Sequence, residues 1–263
     1  MTTVDLNSPE AAWEACRTGA WDRPTAGICE EYVQTNLVVL PHEDAFDFLR
    51  FCVRNPKPCP LIEVTDPGDP EPGLTAAGAD LRTDLARYRV YRRGELEEER
   101  QDIGDLWQED FVAFLIGCSF SFEHALLRAG VPLRHIETGT NVPMYRTSVA
   151  CTPAGEFSGP LVVSMRPIRA DLVPLATTVT ARVPQVHGAP VHVGAPEELG
   201  IRDLDGPDYG ETVEVREDEV PVFWACGVTP QAVALEAAPE IMITHSPGHM
   251  FVTRMTNEEL LNL

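Results

Sequence analysis

Phe111-Val112-Ala113-Phe114-Leu115-Ile116-Gly117-Cys118-Ser119-Phe120-Ser121-Phe122-Glu123 reads as a buried strand that turns sharply into a helix. Phe111 to Ile116 is an unbroken apolar run, as expected of a central strand covered on both faces. A helix is expected from Phe122 to Arg128, with Ser121 as its N-cap and Gly130 after its end. The construction recurs towards the C-terminus, where Val220 to Ala225 reaches Cys226-Gly227-Val228 and then a helix with Thr229 as N-cap and Pro230 at N1. Both elbows place a Cys at a strand end, a hydroxyl three residues on, and Glu123 or Gln231 five residues on. Such a turn aims a thiol and free backbone N–H groups at the carboxyl end of a sheet, where open α/β folds bind ligands. The structural alternative is that both cysteines are small buried residues and both hydroxyls ordinary caps.

Outward from the elbows the chain alternates strands and helices. Ser8-Pro9-Glu10 opens a helix closed by Gly19, Tyr32 to Leu40 is a strand, and Glu43 to Arg54 is a helix stopped by Asn55-Pro56. Leu61 to Thr65 and Tyr88 to Tyr91 are strands, separated by a Pro- and Gly-rich loop from Asp66 to Gly78, and Glu95 to Glu99 reads as a solvated acidic stretch. The middle has a different texture. Short β-like runs at Leu161 to Met165, Thr177 to Val183 and Val191 to Val193, with one helix near Arg169 to Ala176, suggest a small α+β module. The expected fold is α/β: a three-layer sandwich main domain from residues 1–136 and 220–263, with an inserted smaller α+β domain at 137–219.

Composition narrows the function. Of 263 residues 44% are apolar, enough for a core. The formal charge of −21 repels phosphate backbones and anionic lipid, so neither nucleic-acid nor membrane partners are expected. It also repels an anionic substrate unless arginines gather at the site. No basic-then-apolar start and no apolar run of about 18 residues are visible, so a cytoplasmic protein is expected. Seven cysteines without a Cys-x-x-Cys pair read as free thiols, and no histidine pattern demands a metal. Lys57, between two prolines, is the only lysine, which disfavours Schiff-base cofactors. Neither cofactor nor metal is expected; a homo-oligomer is left open.

Beyond the elbow residues Cys118, Ser119, Ser121, Glu123, Cys226 and Thr229, further segments carry chemistry. Asn141-Val142-Pro143-Met144-Tyr145-Arg146 places an amide, a phenol and a guanidinium in one short run. Arg146 could pair bidentately with a substrate carboxylate, and Arg166 is a second candidate. His187 and His245 lie on glycine-containing loops, His187-Gly188-Ala189-Pro190-Val191-His192 and Thr244-His245-Ser246-Pro247-Gly248-His249, as candidate proton shuttles. Gln34 and Asn36 share one face of their strand, which is either a binding face or simply solvated.

Together these segments resemble the D-glutamate cyclase family of hydro-lyases. The resemblance runs through Tyr32-Val33-Gln34-Thr35-Asn36-Leu37, Phe51-Cys52-Val53-Arg54-Asn55-Pro56, Arg82-Thr83-Asp84-Leu85 and Gly117-Cys118-Ser119-Phe120-Ser121-Phe122-Glu123. It continues through Asn141-Val142-Pro143-Met144-Tyr145, His187-Gly188-Ala189-Pro190-Val191-His192, Phe223-Trp224-Ala225-Cys226-Gly227-Val228-Thr229-Pro230-Gln231 and His245-Ser246-Pro247-Gly248. Ile28-Cys29-Glu30-Glu31 and Thr138-Gly139-Thr140 depart from the family pattern, which implies a diverged substrate. The resemblance implies an α/β sandwich with a smaller α+β domain, and cyclisation of D-glutamate to 5-oxo-D-proline with loss of water. On that reading Arg146 holds a carboxylate, the helix N-termini after Cys118 and Cys226 face the oxyanion, and Glu123, His187 or His245 moves protons. A covalent variant would use Cys118 as nucleophile. Two other readings stand beside it: a cofactor-independent two-cysteine racemase or a dehydratase of another small acid, and a non-catalytic binder of small carboxylates.

Overall fold

The computed structural model describes residues 6–260. The chain is built from α1 (Pro9–Arg17), β1 (Tyr32–Pro41), α2 (His42–Arg54), β2 (Leu61–Val64), β3 (Tyr88–Arg92), β4 (Glu95–Arg100), β5 (Phe111–Gly117) and α3 (Phe120–Arg128). There follow α4 (Arg134–Thr138), β6 (Met144–Ala150), β7 (Pro160–Arg169), α5 (Val173–Ala181), β8 (His192–Val193), β9 (Glu219–Ala225), α6 (Thr229–Ala237), β10 (Met242–His245), β11 (Phe251–Thr256) and α7 (Asn257–Leu260).

Two sheets with helices against them make an α/β fold. The larger has the order β2-β5-β1-β10-β3-β4, with β11 sharing the β10 edge of β1; the smaller has the order β6-β7-β9-β8. Every pairing is antiparallel. β1 and β5 are buried along almost their whole length, which is why both read as continuous apolar runs. One face of the large sheet packs Leu37, Val39, Tyr88, Val90 and Ala113 with Trp13 of α1; the other packs Val38, Leu40, Phe114 and Ile116 with Phe48 and Phe51 of α2. A third core joins α3 and α5 to the small sheet through Phe122, Ala176 and Trp224.

Four sequence expectations change. Glu95 to Arg100 is a strand at the sheet edge as well as a solvated stretch. A two-residue hairpin at Arg93–Gly94, both left-handed (φ 49° and 82°), delivers it, and Arg89–Glu99 and Arg92–Glu97 pairs, each at 2.7 Å, offset its poor β-propensity. Thr177 to Val183 is mostly helix, not strand. Its β-branched residues favour a strand locally, but Ala176 is buried beside α3, and the Trp224 indole donates to Thr180 Oγ1 at 3.2 Å. β9, drawn from residue 219 onwards, pairs with β7, so the small sheet extends past the expected insertion. Finally, Ser121 and Thr229 cap nothing: each lies inside its helix, at the end where Cys118 and Cys226 approach.

Candidate functional site

The elbows differ from a conventional cap in a way that explains their cysteines. Cys118 Sγ accepts the N–H of Phe120, and Cys226 Sγ accepts the N–H of Val228, so each thiol satisfies a first-turn amide that a hydroxyl would ordinarily take. The displaced hydroxyls act as tertiary pins. Ser121 Oγ accepts the Gln34 N–H at 3.0 Å. Thr229 Oγ1 donates to the Cys226 carbonyl at 2.7 Å and accepts the Val162 N–H at 3.1 Å. Asn36 joins the elbows: its Nδ2 donates to the Gly117 carbonyl at 2.8 Å, and it lies so close to Gly227 that a Cβ there would fall 2.0 Å from Nδ2. Gln34 and Asn36 do share a neighbourhood, but a buried one. Gln34 donates to the carbonyls of Thr25 and Ile28 and accepts from Thr25.

Behind the elbows sits Arg166 on β7, completely buried. Its guanidinium donates to Glu123 twice, to Ser119 Oγ at 2.9 Å and to Ser164 Oγ at 3.0 Å, and it packs over the rings of Phe122 and Trp224. Burial alone would raise the Glu123 carboxyl, but His135, 3.0 Å away, and Arg166 hold it down at about 2. Burial pushes the Cys118 thiol far above its ordinary range and the Cys226 thiol up to about 11. The same cause lowers His187 to about 4 and His245 to about 3. His187 is spent holding the Lys57 carbonyl through Nδ1 at 2.7 Å, and His245 Nδ1 accepts the Leu37 N–H at 3.2 Å. This centre is closed: Arg166 and Glu123 are paired to one another, while His187 Nε2 and His245 Nε2 are buried without a hydrogen-bond partner among the described residues.

The Asn141 segment divides. Tyr145 is buried, donating to the Leu204 carbonyl at 2.7 Å. Arg146 points outward to Glu236 at 3.5 Å, while its backbone N–H bonds Asp208. Asn141 instead lines an open cleft of about 570 Å³ between the two sheets. Arg87 and Arg89, two apart on one side of the β3 segment, line it with Glu99, Tyr209, Ser246 and His249. The cleft borders the second elbow, because Tyr209 packs with Cys226 and Val228. Gln231, in the first turn of α6, accepts from Tyr91 at 3.3 Å and donates to the His245 carbonyl at 2.8 Å. Gly248 permits the approach of Asn141: its φ is 86°, and a Cβ there would lie 2.6 Å from Asn141 Nδ2.

Two polar atoms of the cleft residues are buried yet lack a hydrogen-bond partner among the described residues: Arg87 Nε, a donor, and Asn141 Oδ1, an acceptor. Glu99 is held below its ordinary pKa: its partial burial is outweighed by Arg89, Ser246 and Arg87. Burial raises Tyr209 to about 12 and lowers His249, so at neutral pH one stays a phenol and the other a neutral imidazole. Sequence reading missed Arg87, Arg89, Glu99, Tyr209 and Ser246 as site residues and quoted His249 only as part of its loop. The one signal was the Arg87–Arg89 alternation, since the other residues are scattered along the chain. Among the described residues no cluster of three or more His, Cys, Asp or Glu could hold a metal, and no helix is long and apolar enough to cross a membrane.

The sequence profile of the family described as D-glutamate cyclase matches residues 112–254. A protein of Stutzerimonas stutzeri (strain A1501) is 64% identical over 253 residues, covering 96% of both chains. One from Rubrobacter xylanophilus is 62% identical over 256 residues, covering 97% of this chain and 99% of its own. One from Geobacillus kaustophilus is 58% identical over 260 residues, covering 99% of each. All three carry a provisional hydro-lyase name. The profile spans both elbows and the Asn141 segment, and the chain belongs to the D-glutamate cyclase family.

Proposed function

We propose that the protein is a hydro-lyase that closes D-glutamate to 5-oxo-D-proline in the cleft between its sheets. The hydro-lyase class rests on the family and on the names its relatives carry. The observation that carries the substrate is the set of polar groups lining the cleft: the Arg87 and Arg89 guanidiniums suit a carboxylate, and the Asn141 amide suits an amine. An amino acid offers both. Arg87 and Arg89 are the cationic groups an anionic substrate would meet in the cleft, where they stand among Glu99, Asp208 and Glu211.

In this mechanism Arg87 and Arg89 hold the α-carboxylate and Asn141 orients the nitrogen. His249 takes a proton from that nitrogen, which attacks the γ-carboxyl carbon. The C–N bond forms, the tetrahedral intermediate collapses, and the C–O bond breaks as Tyr209 protonates the departing oxygen. The substrate ammonium gives up two protons, one to solvent and one to His249, and the leaving oxygen gains two, one from solvent and one from Tyr209; return of the proton from His249 to Tyr209 resets the site, so no external acid or base is consumed. Gathering the groups in one cleft makes the amine an intramolecular neighbour of its electrophile. Glu123, His187 and His245 leave the proton-transfer role assigned to them from sequence: Glu123 is paired with Arg166 and His135, and both histidines are buried, whereas His249 lines the cleft. The thiol readings lose support because burial keeps Cys118 and Cys226 protonated at neutral pH.

The test is an NMR time course with D-glutamate and, separately, L-glutamate. Appearance of 5-oxoproline from the D form alone is expected. Turnover of neither, alongside binding of another small amino acid, would overturn the substrate and leave the family membership standing.

A further inference from the structure

A second cavity, of about 440 Å³, lies on the far side of the first elbow, between α3, α5 and α7. Phe122, Ala125, Val179, Val183 and Leu260 give it an apolar lining, unlike the charged substrate cleft. Arg128 and Arg182 stand exposed on its rim, and neither side chain has an ion pair or hydrogen bond among the described residues. Arg17, Arg89, Arg92 and Arg100 are each paired to a carboxylate within 3 Å, whereas Arg93 and Arg202 resemble Arg128 and Arg182 in having no ion pair among the described residues. In a chain with 41 acidic and 20 basic residues, two unpaired guanidiniums over an apolar hollow are a local reversal of charge. Glu258 shares the rim, so among the described lining residues two guanidiniums stand against one carboxylate.

We propose that this cavity is a second ligand site, for a small anionic amphiphile: an aliphatic chain in the hollow and a carboxylate across Arg128 and Arg182. The apolar wall supplies area to bury, and the two guanidiniums supply planar donors suited to a carboxylate. Glutamate would leave that wall unfilled, so the site is separate in chemistry from the cleft. Phe122, in its lining, also lies under the Arg166 guanidinium at 5.0 Å, so an occupant touches a residue of the buried elbow network.

Calorimetric titration of the full chain with decanoate, and with decanol as the uncharged counterpart, tests this. The wild type is expected to bind one decanoate per chain and to bind decanol more weakly. Arg128→Glu with Arg182→Glu, both at exposed positions, is expected to weaken decanoate roughly 10- to 100-fold while leaving decanol unchanged. Ala125→Trp, which fills the hollow, is expected to remove both. Equal affinity of wild type and double-Glu variant for decanoate, or no decanoate binding by the wild type, overturns the proposal. So does a wild-type dimer in sedimentation that the double-Glu variant disrupts without any decanoate uptake, which would make the cavity a contact with a second copy.

Discussion

Two clusters of arginine and carboxylate lie near the two elbows, and they have opposite characters. Around Arg166 every partner is supplied from within the protein: Glu123, Ser119 and Ser164 take its donors, and two aromatic rings cover its faces. Around Arg87 and Arg89 the pairing is partial, solvent reaches the side chains, and Arg87 Nε and Asn141 Oδ1 remain unpaired. A charge whose partners are all internal is committed to holding the fold. A charge with capacity left over is free to hold something else. Chemical richness alone would have favoured the closed centre; room for a ligand beside charged side chains favours the open one.

The largest expected effect breaks the comparison at the open side. His249→Gln is expected to lower kcat about 10²- to 10⁴-fold with an unchanged unfolding midpoint, as for loss of a general base; undiminished turnover would remove His249 from the mechanism. At the closed side the loss is of fold rather than rate. Arg166→Met leaves Glu123 buried with only His135 beside it, and chemical denaturation is expected to show roughly 3–5 kcal/mol of lost stability. A variant as stable as wild type would mean that the centre relaxes and admits water. Arg87→Leu comes next, with an expected rise in KM of about 10- to 100-fold and a smaller change in kcat.

The two closed-side histidines predict a pH dependence of stability. Both are lowered in the folded state, to about 3 for His245 and about 4 for His187, against an ordinary 6.5. Below pH 6.5 the unfolded chain binds protons that the native chain refuses, so stability falls with pH by about 1.4 kcal/mol per unit for each histidine until the folded values are reached. Glu123, lowered to about 2, adds a further loss as pH falls from 4.5 towards 2. Urea titrations at pH 7, 6 and 5 should trace the first slope, and a flat profile over that range would show both histidines to be solvated. The smallest effect is expected from Cys118→Ala, with turnover within about threefold of wild type, since this thiol only receives a backbone amide. A loss of several orders of magnitude would revive the covalent variant.

Much of this protein was legible from local sequence. Continuous apolar runs identified β1 and β5, Ser8-Pro9 and Asn55-Pro56 bounded α1 and α2, and long motifs in fixed order indicated the family. The doubled elbow was also visible, as was the Asn141 segment, because both are contiguous in the chain. Three matters were decided by tertiary structure alone. Thr177 to Val183 became mostly helix because packing against α3 and Trp224 outweighs β-branched propensity. Arg166 is buried and Arg146 lies at the surface, since one side of a strand faces the core and the other does not. The cleft gathers Arg87, Asn141, Tyr209 and His249 from four separate segments, brought together only where the two sheets meet. Periodicity and capping act over a few residues and so can be read in order along the chain, whereas the pairing of distant charges depends on which faces the whole fold buries.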